Sequence, residues 1–212
     1  MEKESELYST ITKHLIEDEK PSVYLNQIFD TESFKQQPYS MLRRLKETKQ
    51  SKIHHPEGNV WNHTILVLDE AAIVRNESSN PKAFMWAALL HDIGKPDTTR
   101  IKGEKITAYN HDNIGADLAK KFLQSVTSEQ DLITEVYHLV KYHMHMLYIL
   151  KKLPFGDTNR LISSVNIHDI ALLGRCDRLG RTGVDRVEID ADYQRFHAIL
   201  VDLKQASTII DE

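Results

Sequence analysis

The stretch Ala83-Phe84-Met85-Trp86-Ala87-Ala88-Leu89-Leu90 runs directly into His91-Asp92 and closes on Ile93-Gly94-Lys95-Pro96. At helical spacing Phe84, Ala87, Ala88 and His91 share one stripe, so the imidazole extends a face expected to be buried. Asn80 before Pro81 reads as an N-cap followed by proline at the first helical position, and Gly94 with Pro96 reads as a C-terminal stop. The doublet is therefore expected in the last turn of an apolar helix. An ionisable pair in such a place needs a partner that offsets its desolvation, and a metal ion suits a neutral His and an anionic Asp together. Adjacent helical residues point about 100° apart, so both reach one ion only near a helix end.

Working outward, other stretches place a metal-ligand residue type where the apolar stripe calls for a core side chain. From Asn59 to Asn76 the stripe is Val60, His63, Val67, Ala71. A helix expected to start at Ser128, capped with Asp131 three residues on, carries Ile133, Val136, Val140 and then His143. Another, capped by Asn166 with Asp169 three on, runs Ile170, Leu173, Asp177. His111 follows a short extended segment over 105–109 and opens an amphipathic stretch with Ile114, Leu118 and Phe122, so its ring is expected at a helix N-terminus. Each histidine alone is open to a bland reading, a core residue satisfied by an ordinary hydrogen bond. Recurrence on separate helices favours one shared site. His14, His54, His138, His145, His168 and His197 lack the stripe argument and keep the bland reading, and Cys176 reads as a small packing residue.

His63, the His91-Asp92 pair and the distant Asp177 together resemble the pattern of the HD superfamily of metal-dependent phosphohydrolases. The nearest likeness is to the HD domain attached to some bacterial CCA-adding tRNA nucleotidyltransferases and to its free-standing relatives. The words that carry it are His55-Pro56-Glu57-Gly58 leading to His63-Thr64, then His91-Asp92-Ile93-Gly94-Lys95, His111-Asp112, Tyr142-His143 and Asp177-Arg178-Leu179-Gly180-Arg181. The resemblance covers roughly Met41 to Arg181. It implies an all-α, single-domain helical bundle with a metal at the bottom of a central cleft, ligated by His63, His91, Asp92 and Asp177. It also implies that His111 and His143 fill the places of a second ion in two-metal members, with Asp92 bridging. No nucleotidyltransferase head and no paired-Asp strand precede Met41, so the chain is not expected to add nucleotides to tRNA.

The 212 residues, 41% hydrophobic, suffice for one good core, expected as a helical cover over 1–40, an HD metal-binding core over 41–185 and a packing helix over 186–212. The cover is read as two or three short helices around Ile11, Leu15, Val23 and Ile28, and the last helix, from Asp190 to Ile209, as packing through Phe196, Leu200 and Leu203. The charged start Met1-Glu2-Lys3-Glu4-Ser5-Glu6 offers no signal peptide and no apolar run reaches membrane length, so a cytoplasmic location is expected. One cysteine excludes an internal disulfide. A net charge of −4 argues against a generic nucleic-acid coat, and the run Arg43, Arg44, Lys46, Lys49, Lys52 reads first as a solvated face.

The expected chemistry is hydrolysis of a phosphorylated small molecule, nucleotide or RNA end by a metal-activated water, as a phosphatase or phosphodiesterase. With Asp92 and Asp177 as the anionic ligands, one divalent ion leaves the site near neutral and two leave about two positive charges, matching a phosphate dianion. The donor types accept Mn, Fe, Co, Ni, Zn or Mg. Lys95 and Arg181 each have two readings, a phosphate donor or a cation favoured near a helix C-terminus. Glu57 is a candidate to orient water or a substrate hydroxyl, with His55 assisting or serving a turn. Two other functions stay in play: a di-iron oxygenase and a non-catalytic module that binds a nucleotide or partner.

Overall fold

The computed structural model describes the backbone of residues 2–210 and the side chains of residues 6–207. Met1, Asp211 and Glu212, at the outer ends of the two expected terminal segments, lie outside the described residues. In chain order the elements are α1 (Glu2–Glu17), α2 (Pro21–Ile28), α3 (Glu32–Lys35), α4 (Ser40–Glu47), α5 (Val60–Val74), α6 (Pro81–Leu90), α7 (Lys95–Thr98), β1 (Arg100–Lys102), β2 (Lys105–Thr107), α8 (His111–Gln124), α9 (Gln130–Tyr142), α10 (His145–Leu150), α11 (Thr158–Ser164), α12 (Ile167–Leu179) and α13 (Arg186–Ile210). The architecture is all-α, and β1 and β2 form one small antiparallel ribbon pairing Ile101 with Ile106.

Helix α6 is the axis of the fold. Every residue from Ala83 to Leu90 is buried, and a helix apolar on all sides has to be surrounded. It is flanked by α1, α5, α9 and α12. Trp86 stacks on Tyr8 with ring centroids 5.1 Å apart and donates its indole N–H to Thr12 Oγ1 at 3.1 Å, which seats α1. Asn80 caps α6 through the Ala83 amide and Asn166 caps α12 through the His168 and Asp169 amides, both as the sequence suggests, and Asn59 caps α5 through the Asn62 amide. The C-terminal ends of α6, α9 and α12 and the N-terminal ends of α5 and α8 meet at one end of the bundle, where His91, His143, Asp177, His63 and His111 come together.

Several local expectations are corrected. Ser128 is not a cap: α9 starts at Gln130 and no side chain caps it. Helix α6 ends at Leu90, and the doublet occupies the turn that follows, with His91 as the C-cap still in helical conformation. Gly94 and Pro96 do not end the helical region, because Pro96 sits in the first turn of α7, where its missing N–H costs nothing. On α8 the buried row is Gly115, Ala116, Ala119, Phe122 and Leu123, since the small residues let α8 approach its neighbours, while Ile114 and Leu118 are only half-buried. Val23 is 54% exposed on α2, whose buried side is Pro21 and Leu25. The last helix begins four residues early, at Arg186. The basic run is partly engaged by the protein itself: Arg43 and Lys46 lie over the Phe29 ring and Arg44 pairs with Asp97.

Candidate metal centre

The converging helix ends bring all six sequence-predicted ligand candidates together around the Asp92 carboxylate. Oδ2 faces His91 Nε2 at 3.3 Å and His63 Nε2 at 3.9 Å. Oδ1 faces His111 Nε2 at 3.4 Å and His143 Nε2 at 3.8 Å. Asp177 completes the first half, its Oδ1 2.9 Å from His63 Nε2. Asp92 thus divides the four histidines into two pairs. Both resulting trios, His63-His91-Asp92 and Asp92-His111-His143, are buried, with donor atoms close enough together to hold an ion.

The rings are fixed from behind. His91 Nδ1 donates to the Ala88 carbonyl at 2.8 Å, His111 Nδ1 to Ala108 at 2.6 Å and His143 Nδ1 to Val140 at 2.6 Å. A carbonyl only accepts, so each Nδ1 carries a proton and Nε2 is the ring nitrogen turned inward, where it is placed to meet a metal ion. Two consequences follow. His111 Nε2 and His143 Nε2 then oppose each other lone pair to lone pair at 3.3 Å, and buried His91 Nε2 has no hydrogen-bond partner. Such an arrangement is repulsive until a cation sits among the donors.

The protonation states suit the same occupant. Burial, with His111 and His91 nearby, pushes His143 down to about 4. Burial also lowers His111, against the pull of Asp92. For Asp92, burial raises the carboxyl but Lys95 and His91 outweigh it and hold it well below the usual range. Asp177 is likewise held low against burial by Arg181 and His63. Neutral imidazoles and ionised carboxylates are the donor set that a divalent cation requires. His63 differs: burial lowers it, yet Asp177 and Glu57 carry it upward overall, so a proton there stands where a cation would compete.

Above the cluster opens a cleft of about 800 Å³ whose lining includes Asp92, Lys95, His111, Asp177 and Arg181. Lys95 is 9% exposed with Nζ 2.7 Å from Asp92 Oδ2, so the reading of it as a surface cation fails. Arg181, just past the end of α12, lies 3.7 Å from Asp177 Oδ1. His55 lines the cleft, whereas Glu57 sits behind His63, its Oε1 3.0 Å from His63 Nδ1 and 2.9 Å from His55 Nδ1. Glu57 therefore braces two histidines from behind the cleft. Burial, reinforced by Lys95, His63 and Arg181, pushes His55 down to about 3. It is neutral at physiological pH, with Nδ1–H donated to Glu57 and Nε2 left as an acceptor.

Sequence reasoning missed four residues of the cleft. Gln50, Asp112, His145 and Tyr148 line it, and the first three are buried. Tyr148 donates to Asp112 Oδ2 at 3.3 Å and His145 Nε2 accepts from the Asp157 amide at 3.3 Å. His145 has no stripe argument in the sequence; the break between α9 and α10 at Met144 places it on the cleft. Gln50 and Tyr148 carried no periodic signal, and Asp112 only its place beside His111.

Comparison with known proteins gives a consistent relationship. The HD domain family model matches residues 60–179. The Multifunctional CCA protein of Pseudomonas fluorescens (strain SBW25) is 28% identical over 196 residues, which is 89% of this chain and 46% of that protein. Its counterpart in Actinobacillus pleuropneumoniae serotype 5b (strain L20) is 32% identical over 102 residues, 48% of this chain and 24% of that protein. The one from Halorhodospira halophila (strain DSM 244 / SL1) is 32% identical over 106 residues, 50% and 24% respectively. The chain spans less than half the length of these curated relatives.

Proposed function

This chain belongs to the HD domain family, and on that premise we propose that it is a metal-dependent phosphohydrolase acting on a nucleotide or RNA-end phosphate. The observation that carries the reading is the division of four inward-facing imidazoles between the two oxygens of Asp92. His63, His91, Asp92 and Asp177 would hold one divalent cation, and Asp92, His111 and His143 a second; cations there would acidify a water and draw charge from phosphoryl oxygens.

The chain's own residues do the rest. Lys95, paired with Asp92, and Arg181, beside Asp177, supply positive charge at the cleft floor and donate to phosphoryl oxygens. His55, neutral and anchored through Nδ1, accepts at Nε2 from a hydroxyl of the substrate. Glu57 keeps His63 and His55 in register. The remainder of the cleft supports a nucleotide-sized ligand: Lys49, Lys141 and Arg160 add positive charge, and Tyr109, Tyr148 and Phe155 add aromatic surface. The name of the CCA relatives, attached to proteins about twice as long, supports an RNA end among the substrates.

The test is phosphate release from nucleoside monophosphates, 2′,3′-cyclic nucleotides and simple phosphodiesters, each with several divalent metals and with Asp92→Ala. Release by the wild-type protein, lost in the variant, is expected. Absence of release under every condition overturns the reading; tight nucleotide binding without turnover would then indicate a binding module, and oxygen consumption with iron an oxygenase.

A further inference from the structure

Gln50 stands between α4 and α5, next to Lys49, whose backbone bridges to Asn59. It lies outside the residues matched by the family model. The side chain is 6% exposed and its Oε1 accepts from Lys95 Nζ at 2.6 Å. An ammonium only donates, so this contact decides the orientation of the amide: oxygen toward Lys95, Nε2 on the other side. Nε2 is buried and meets no acceptor in the protein. A buried donor left unmet loses its hydration without replacement, and folded proteins keep few of them. Gln50 lines the cleft together with Asp92, Lys95 and Arg181. Arg181 Nε is a second buried N–H there without an acceptor.

Two unmet N–H donors, on Gln50 and Arg181, and the Lys95 ammonium belong to residues lining the same cleft, and a phosphoryl group brings several acceptor oxygens on one centre. We propose that Gln50 is a phosphate-binding residue: Nε2 donates to a non-bridging oxygen of the substrate phosphoryl group, while Lys95 holds the amide in the orientation that makes this possible. The inference rests on the phosphohydrolase reading above. A neutral amide suits this place, because it adds a directed donor without adding charge that would compete with cations for Asp92. Its oxygen also keeps Lys95 from swinging away when the ammonium loosens from the carboxylate.

The probe is inorganic phosphate, titrated into Mg2+-saturated protein by calorimetry and followed by the side-chain amide resonances in 15N-resolved NMR spectra. The amide pair missing from Gln50→Met identifies Gln50. In the wild type that pair is expected to shift with the same midpoint as the calorimetric isotherm, and Gln50→Met is expected to bind phosphate on the order of tenfold more weakly. Gln50→Glu keeps an oxygen for Lys95 but removes the donor, and it too is expected to weaken binding. Unchanged phosphate affinity in Gln50→Met, an unmoved amide pair, or full affinity in Gln50→Glu overturns the inference and leaves the phosphohydrolase reading standing. Wild-type protein that binds no phosphate and releases none from any substrate sinks both. In steady-state assays the loss should fall on KM at least as heavily as on kcat, whereas a residue that merely props the fold would lower thermal stability and metal content instead.

Discussion

At the scale of single residues, Asp92 concentrates the energetics of the site. One carboxylate faces four imidazoles and an ammonium, all within 4 Å. Replacing it by Asn keeps the shape and removes the charge, and metal affinity should fall more than about 100-fold, beyond the 10–100-fold typical of losing an outer partner. Metal titration by calorimetry checks this. Elemental analysis of metal-saturated protein should find two ions per chain, falling to one in His143→Ala; at most one in the wild type rules out the two-ion arrangement. Glu57 tests the bracing role. Glu57→Gln keeps its size but weakens the hold on His63, so metal affinity should drop by about 10–100-fold with the fold intact by circular dichroism. An unchanged affinity would mean that His63 is positioned by Asp177 alone.

At the scale of elements, the second half of the site depends on how closely α7 and α8 approach. A Cβ on Gly94 would lie 2.2 Å from the His111 carbonyl oxygen and 2.6 Å from the Gly115 amide nitrogen. Both are backbone atoms and neither yields cheaply. Gly94→Ala should therefore push the start of α8 outward, cost about 1–3 kcal/mol or more in urea unfolding, and weaken the His111-His143 half before the His63-His91 half. A variant with full stability and two ions bound would refute that coupling. Caps behave more modestly. Asn166 holds the first turn of α12, and Asn166→Ala should cost about 1 kcal/mol without moving Asp177, which lies three turns further along. The same elements show why some readings failed. Ser128 has the composition of a cap, but the backbone of α9 starts two residues later. The stripe read on α8 through Ile114 and Leu118 gives way to a contact face built on the small residues Gly115, Ala116 and Ala119.

At the scale of the whole molecule, a core that buries histidines without charging them should be sensitive to acid. Burial holds His55 at about 3 and His143 at about 4, and lowers His111 and His145 as well. In the unfolded chain these rings take up protons near pH 6.5; in the folded one they do so at lower pH, His55 and His143 well below it. Their contribution is complete above that pH and declines as pH falls, by at most about 1.4 kcal/mol per unit for each ring. His63 is raised and offsets one of them. The urea midpoint of chelator-treated protein should accordingly fall between pH 7 and pH 5, and a flat or rising profile would contradict the assigned states. What the sequence determined by itself was periodic: the all-apolar α6, the Asn caps at 80 and 166, and the metal-ligand residue types at His63, His143 and Asp177 on stripes otherwise apolar. Those signals survive in one dimension because a helix repeats its faces every few residues. Only the tertiary structure decided that Asp92 Oδ1 and Oδ2 serve different histidine pairs, that Glu57 works from behind, that Lys95 is buried against Asp92, and that Gln50 and His145 enter the cleft. Those facts belong to turns and helix ends, where side-chain direction follows from packing between distant segments and no local period encodes it.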